Sequence, residues 1–138
     1  MSVVLDASAA LAWVYERADP AEAAKARALL ARLDEEDAIV PELWHLEVLN
    51  ALIVGQRKGV ISVAKATDFL ARLDALPIQT QGASVAGRKE HLFSLAREHD
   101  LSAYDAAYLD LAIRSGSALA TFDRRLGLAR DKAGVAPA

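Results

Sequence analysis

Four carboxylates in this chain would do chemistry if the fold brought them together. Asp6 closes the apolar run of "VVLDAS", and Asp123 follows "ALAT" after one intervening residue, Phe122. Glu47 interrupts "ELWHLEVLNALIV", and Asp105 lies near the start of "SAYDAAYLDLA". Converging carboxylates repel, and in a low-dielectric cleft some stay protonated unless a cation compensates them. A hard divalent ion resolves that conflict, because Mg2+ and Mn2+ prefer carboxylate oxygens and water and need neither histidine nor cysteine. One such ion, or a pair, activates a water nucleophile and stabilises charge on a phosphoryl group in flight.

Each carboxylate also has a structural reading. Asp6 with Ser8 can cap a first helix and Asp123 a last one. Ser102 to Asp105 has capping-box spacing, and Glu47 can snorkel from a half-buried helix. Taken singly the residues favour these readings; taken together they favour the cation site.

The elements that must position them follow from hydrophobic pattern and punctuation. Val3 to Leu5 reads as a short strand apolar on both faces, as in a buried parallel sheet. A helix is expected from Ser8 to Arg17, and another after Asp19 as N-cap with Pro20 in its first position. Ala38 to Pro41 is the second strand. Glu42 to Lys58 is a long helix stopped at Gly59; it is apolar around most of its circumference and therefore expected to be central. Along it Asn50 lies one turn beyond Glu47, with Arg57 on nearly the same azimuth two turns later. Ser62 opens the next helix, "LPIQT" is a weaker third strand, and helices are expected over 83–98 and 102–115, the latter stopped by Gly116. Ala118 to Thr121 is a fourth strand, with a short helix from Arg124 to Arg130 after it. Strands alternating with helices imply a parallel sheet covered on both faces, whose ligands bind beyond the carboxyl ends of the strands. "LARLD" occurs twice, at 30–34 and 70–74, and reflects helix composition, not a repeat.

The totals bound the answer. The chain has 138 residues, ample for one domain spanning 1–138. With no cysteine, disulfide and thiolate chemistry are excluded, which suits a cytoplasmic location. No apolar run approaches the roughly 18 residues of a membrane span, so no membrane association is expected. No basic region precedes the first apolar stretch, so no signal peptide is expected. A net charge of −3 argues against binding nucleic acid through bulk positive charge, though not against a local grip through bound cations.

In this order, "VVLDAS", the "EVLN" segment, "LSAYDAAYLDLA" and "LATFDRRL" resemble the PIN domain, and more specifically the VapC-type toxins of bacterial and archaeal toxin–antitoxin pairs. The resemblance runs from about residue 3 to 126. It implies a three-layer α/β/α fold around a parallel sheet of four to five short strands, and Mg2+-dependent endoribonuclease activity with Mn2+ as a substitute. Asp6, Glu47, Asp105 and Asp123 match the family's acidic quartet as metal-holding, catalytic residues. Ser8, Asn50 and Thr121 match its supporting polar positions, which would hold the carboxylates or their waters. Arg57, Arg124 and Arg125 are possible RNA contacts, though solvated helix-end arginines are an equal reading. The resemblance further implies a homodimer held inactive by a VapB-like antitoxin, with Trp13, Leu29 or Leu33 as exposed apolar positions for its groove.

Other features carry no chemistry in this reading. His45, His91 and His99 have no ligand spacing, "QTQGAS" has too few glycines for a phosphate loop, and Tyr104 and Tyr108 read as packing residues. An aspartyl-nucleophile phosphatase would want an acid where Ser8 stands, and a receiver domain a lysine that "LATFDRR" lacks. A catalytically silent PIN-like binding module, a PIN nuclease outside any toxin–antitoxin pair, and DNA as substrate stay open.

Overall fold

Val3, Val4 and Leu5 are completely shielded from solvent, as an apolar strand must be when helices cover both faces of its sheet. In the computed structural model, which describes residues 2–81 and 84–138, this strand is β1 (Ser2–Leu5). It lies in a parallel sheet of order β3-β2-β1-β4 with β2 (Asp37–Val40), β3 (Ile78–Thr80) and β4 (Ala118–Ala120). Among the described residues seven helices surround the sheet: α1 (Ala7–Leu11), α2 (Pro20–Arg32), α3 (Leu43–Arg57), α4 (Val63–Asp74), α5 (Lys89–His99), α6 (Ala103–Ser115) and α7 (Arg124–Lys132). The α/β architecture expected from the alternating pattern is borne out, with four strands among the described residues.

The strand order reverses at β1. Its partners are β2 on one side and β4 on the other, with Val4 opposite Ile39 and Leu119. A crevice therefore opens beyond the carboxyl ends of β1 and β4, the place where such sheets take ligands. The Asp6 N–H donates to Ala120 O at 3.1 Å, extending this pairing to the mouth of the crevice. On the outer side of β4, Leu119 N–H donates to Ala136 O at 2.9 Å, so the C-terminal segment covers that edge.

Most boundaries follow the expected punctuation. Asp19 and Ser62 cap α2 and α4 through their side chains. Gly59 and Gly116 take positive φ (74° and 64°) just beyond α3 and α6, a conformation that favours glycine.

Three expectations need correction. The first helix stops at Leu11, not Arg17. There Trp13 turns its indole N–H onto Ala26 O at 2.9 Å, and Tyr15 its hydroxyl onto Ala51 O at 3.1 Å. These contacts with α2 and α3 accompany the unwinding of the chain. The helix expected from Ala83, a residue outside those described, is a 3-10 turn at Val85–Gly87 followed by α5 from Lys89. Arg88 leaves the helical conformation (φ −128°, ψ 16°) and turns its side chain to Asp110. Finally, α3 is not central. It buries Trp44, Val48, Leu52 and Gly55, but Leu46 is 70% exposed and Leu49 and Ile53 share that open face. No helix among the described residues is long and apolar enough to cross a membrane.

The seat of α3 depends on Gly55. A Cβ there would collide with the Tyr15 hydroxyl and lie 3.2 Å from Ile61 Cγ2. Alanine in a helix interior normally gains about 0.5–1 kcal/mol over glycine. Gly55→Ala should instead lose about 1–3 kcal/mol by overpacking, read as a lower urea midpoint. An unchanged or higher midpoint would contradict the packing of Tyr15 against α3.

Candidate active site

Asp6 is 4% exposed, and three donors are turned towards it. Its Oδ1 accepts from Ser8 Oγ at 2.5 Å and from Ala9 N–H at 3.0 Å, while Oδ2 accepts from Thr121 Oγ1 at 2.5 Å. Each hydroxyl is itself fixed by a backbone donor: Phe122 N–H to Ser8 Oγ and Asp123 N–H to Thr121 Oγ1, both at 2.9 Å. Because those oxygens accept from the backbone, their own protons are free to point at the carboxylate. Asp6 thus caps α1, as its structural reading held, and also sits in the crevice between β1 and β4. Burial holds its carboxyl above the ordinary range despite these donors, and the charge of Asp123 pushes the same way.

The other acids arrive from three helices. Glu47 projects from α3, where Tyr108 Oη of α6 donates to its Oε1 at 2.5 Å. Burial raises the Glu47 carboxyl, the phenol pulls it down, and the charge of Asp6 pushes it up. Asp105 lies in the first turn of α6, whose N-cap Ser102 accepts from the Asp105 N–H at 3.1 Å. Burial, followed by the charges of Asp123, Asp6 and Glu47, pushes its carboxyl up to about 6. Asp123 caps α7 through Oδ1, which accepts from Leu126 N–H at 2.9 Å. The four carboxylates therefore share one field. Among the described residues, no ion pair reaches any of them.

Ser8 and Thr121 stand where the resemblance implies. Asn50, one turn beyond Glu47, is exposed on α3, and no hydrogen bond ties it to the four carboxylates among the described residues. Arg57 is ten residues beyond Glu47, about 15 Å along the helix, so a shared azimuth does not bring it to the acids. Arg124 and Arg125 are exposed in the first turn of α7, where Arg125 Nη1 lies 3.8 Å from Asp100 Oδ2. Leu29 and Leu33 are core residues and so are unavailable as exposed groove positions. Trp13 does line an apolar groove of about 730 Å3 between α2 and α4, together with Leu30, Phe69 and Leu76. The histidines stay apart from the acids: His45 bonds Thr80, His91 meets Asp110, and His99 ends α5.

Two features escaped the sequence reading. Tyr108 is buried as expected of a packing residue, but its hydroxyl is committed to Glu47, whereas Tyr104 is 65% exposed and packs little. Its position three residues after Asp105, on the same helical face, was the available signal. Arg17 bonds Glu22 and lies 5.0 Å from the centre of the Phe122 ring, beside Asp123; nothing in the spacing singles it out.

The donor set suits a hard divalent cation: anionic oxygens, water access at Asp105 and Asp123, and mutual repulsion that a cation relieves. Among the described residues, no three acidic or imidazole side chains are drawn up as a ready-made cage. That is compatible with Mg2+, which keeps several waters and often takes only one or two carboxylates plus substrate phosphate.

Residues 3–132 match the PIN domain family. Ribonuclease VapC3 of Pyrobaculum aerophilum is 34% identical over 129 residues, which cover 91% of this chain and 92% of that protein. Ribonuclease VapC3 of Mycobacterium tuberculosis is 35% identical over 129 residues, covering 92% of this chain and 86% of its own. Among solved structures, PAE2754 from Pyrobaculum aerophilum has a TM-score of 0.70 at 24% identity, covering 94% of this chain and 84% of that one. FitAcB from Neisseria gonorrhoeae has a TM-score of 0.63 at 19% identity, with coverages of 98% and 95%. Both structures bear on the fold.

The raised Asp105 carboxyl carries a stability consequence. Its folded value of about 6 exceeds the ordinary 3.8, so ionisation penalises the folded state as pH climbs from about 4 through 6. In chelator at pH 7.5, Asp105→Asn should melt about 3–5 °C above the parent chain, the response to roughly 1 kcal/mol after solvent screening. The gap should close as pH falls through 6 towards 4. A variant no more stable at pH 7.5, or a gap that widens in acid, would contradict the repulsion.

Proposed function

The chain belongs to the PIN domain family, and on that premise we propose that it is a divalent-cation-dependent endoribonuclease toxin built on Asp6, Glu47, Asp105 and Asp123. The observation that carries the reading is a cluster of four mutually repelling carboxylates with no paired arginine or lysine among the described residues. The ribonuclease names of the VapC3 relatives support RNA as the substrate. Retention of all four acids disfavours a silent binding module.

Mg2+, or Mn2+ in its place, would be held by these carboxylates and would supply a lowered water pKa and positive charge opposite the phosphodiester. The chain's own residues do the rest. Ser8, Thr121 and the Ala9 N–H fix both oxygens of Asp6, so this carboxylate is oriented before any ligand arrives. Asp123 has one carboxylate oxygen left over from capping α7, and Asp105, whose carboxylate takes no part in the cap of α6, has both; they offer these to the crevice. Water attacks phosphorus in line with the 3′-oxygen; the P–O3′ bond breaks, leaving a 3′-hydroxyl and a 5′-phosphate. Arg124 and Arg125, exposed in the first turn of α7, and Arg17 beside Phe122 would contact the RNA backbone.

The same reading extends to partners and place. A VapB-like antitoxin would restrain the enzyme in the cytoplasm, and the groove lined by Trp13, Leu30 and Phe69 offers it apolar surface. A second copy would cover Leu46, Leu49 and Ile53 on α3, since contiguous apolar patches of this kind mark interaction sites.

Partner-free protein should cleave structured RNA with Mg2+ or Mn2+ and stop in EDTA. Asp6→Asn and Asp105→Asn should each lose more than about 100-fold in rate, exceeding the 10–100-fold typical of an outer partner. Gel analysis of the fragments checks this. Cleavage that persists in EDTA, or full activity in both variants, would sink the mechanism.

A further inference from the structure

Tyr108 is 1% exposed, so its ring belongs to the core, and phenylalanine would fill that volume with no polar atom to satisfy. The hydroxyl is instead spent on an acid of the candidate site. It donates to Glu47 Oε1 at 2.5 Å, the length of a charge-assisted O–H···O bond. One phenol therefore joins α6, which carries Asp105, to α3, which carries Glu47.

Asp6 and Glu47 are held differently. Asp6 has donors on both oxygens, whereas Glu47 has one donor, on Oε1, and no hydrogen-bond partner on Oε2 among the described residues. Glutamate has three side-chain torsions, and without the phenol nothing polar would select one orientation of its carboxylate. We propose that Tyr108 is a positioning residue, whose hydroxyl fixes Glu47 through Oε1 and thereby presents Oε2 to a divalent cation. This inference rests on the cation-site reading of the four acids.

The test reads cation binding in the absence of RNA. Mn2+ alone is titrated calorimetrically into the full chain at pH 7.5, with urea unfolding run on every variant. Tyr108→Phe, which removes one oxygen, should weaken Mn2+ binding about 10-fold, the lower end for loss of an outer partner. Added to Glu47→Gln, it should cost nothing further, because its effect passes through that carboxylate. Glu47→Asp keeps the charge but withdraws it from the phenol, and should lose a similar factor even if Tyr108→Phe does not fold. Tyr104→Phe, at the exposed tyrosine, should bind like the parent. Unchanged Mn2+ affinity in folded Tyr108→Phe or in Glu47→Asp, with Glu47→Gln impaired, would overturn the positioning role. So would a loss in Tyr108→Phe that persists undiminished in the Glu47→Gln background. A parent chain that binds no Mn2+ would instead overturn the cation site itself, and the inference with it.

Discussion

The constraint on which the site depends is negative charge gathered where the described residues supply no paired cation. Asp6 stands at the end of a strand whose three preceding residues are wholly buried, so its position is set by the sheet and cannot relax towards water. Burying a carboxylate without compensation costs many kcal/mol. The chain lowers that cost with two hydroxyls and one backbone N–H, each aimed by its own place in the β1 or β4 connection. Hydrogen bonds reduce the penalty without neutralising the charge, and three more carboxylates then enter the same field. Burial first, and the charges of the neighbouring acids after it, leave the carboxyls of Asp6, Glu47 and Asp105 above the ordinary range.

The same chain shows the opposite solution a few residues away. Asp110 is 2% exposed on α6, as buried as Asp6. Arg88 grips it through Nε and Nη2 at 3.0 and 2.7 Å, Arg114 Nε lies 2.9 Å away, and His91 Nε2 3.1 Å away. Burial would raise its carboxyl, but the two guanidinium groups outweigh burial and hold it below the ordinary range. Asp110 is thus a finished structural ion cluster, binding α5 to α6. Among the described residues the four acids of the crevice have no such partners, although arginines are plentiful in the chain. Charge compensation, more than burial, separates the carboxylate that serves the fold from those left available to a ligand.

This contrast explains what was legible in the sequence. The strands, Gly59, Gly116 and the caps at Asp19, Ser62 and Ser102 are local signals, carried by a few adjacent residues, and they could be read directly. The acidic quartet was legible because two members follow strands and two sit on helices with recognisable neighbours. The early end of α1 was not, since it goes with Trp13 and Tyr15 reaching Ala26 and Ala51, 13 and 36 residues away. Nor was the bond from Tyr108 to Glu47, which spans 61 residues. The exposed flank of α3 misled for a different reason: apolar residues all round a helix imply cover, and among the described residues none covers Leu46 and Ile53.

The capping and ligand readings of these acids also cease to compete once the helices are placed. Asp6, Asp105 and Asp123 lie at the N-termini of α1, α6 and α7, so three helix starts meet the crevice. Each helix N-terminus presents roughly half a positive charge, and α1 is too short to give a full share. Together they offset at most about one and a half charges of the four. That is enough to let the apo cluster persist in a folded chain, with some carboxyls raised. It is too little to neutralise it, and the remainder is close to what one divalent cation supplies. The caps therefore make the site tolerable when empty, and the same arrangement leaves it the net negative charge on which the proposed cation site rests.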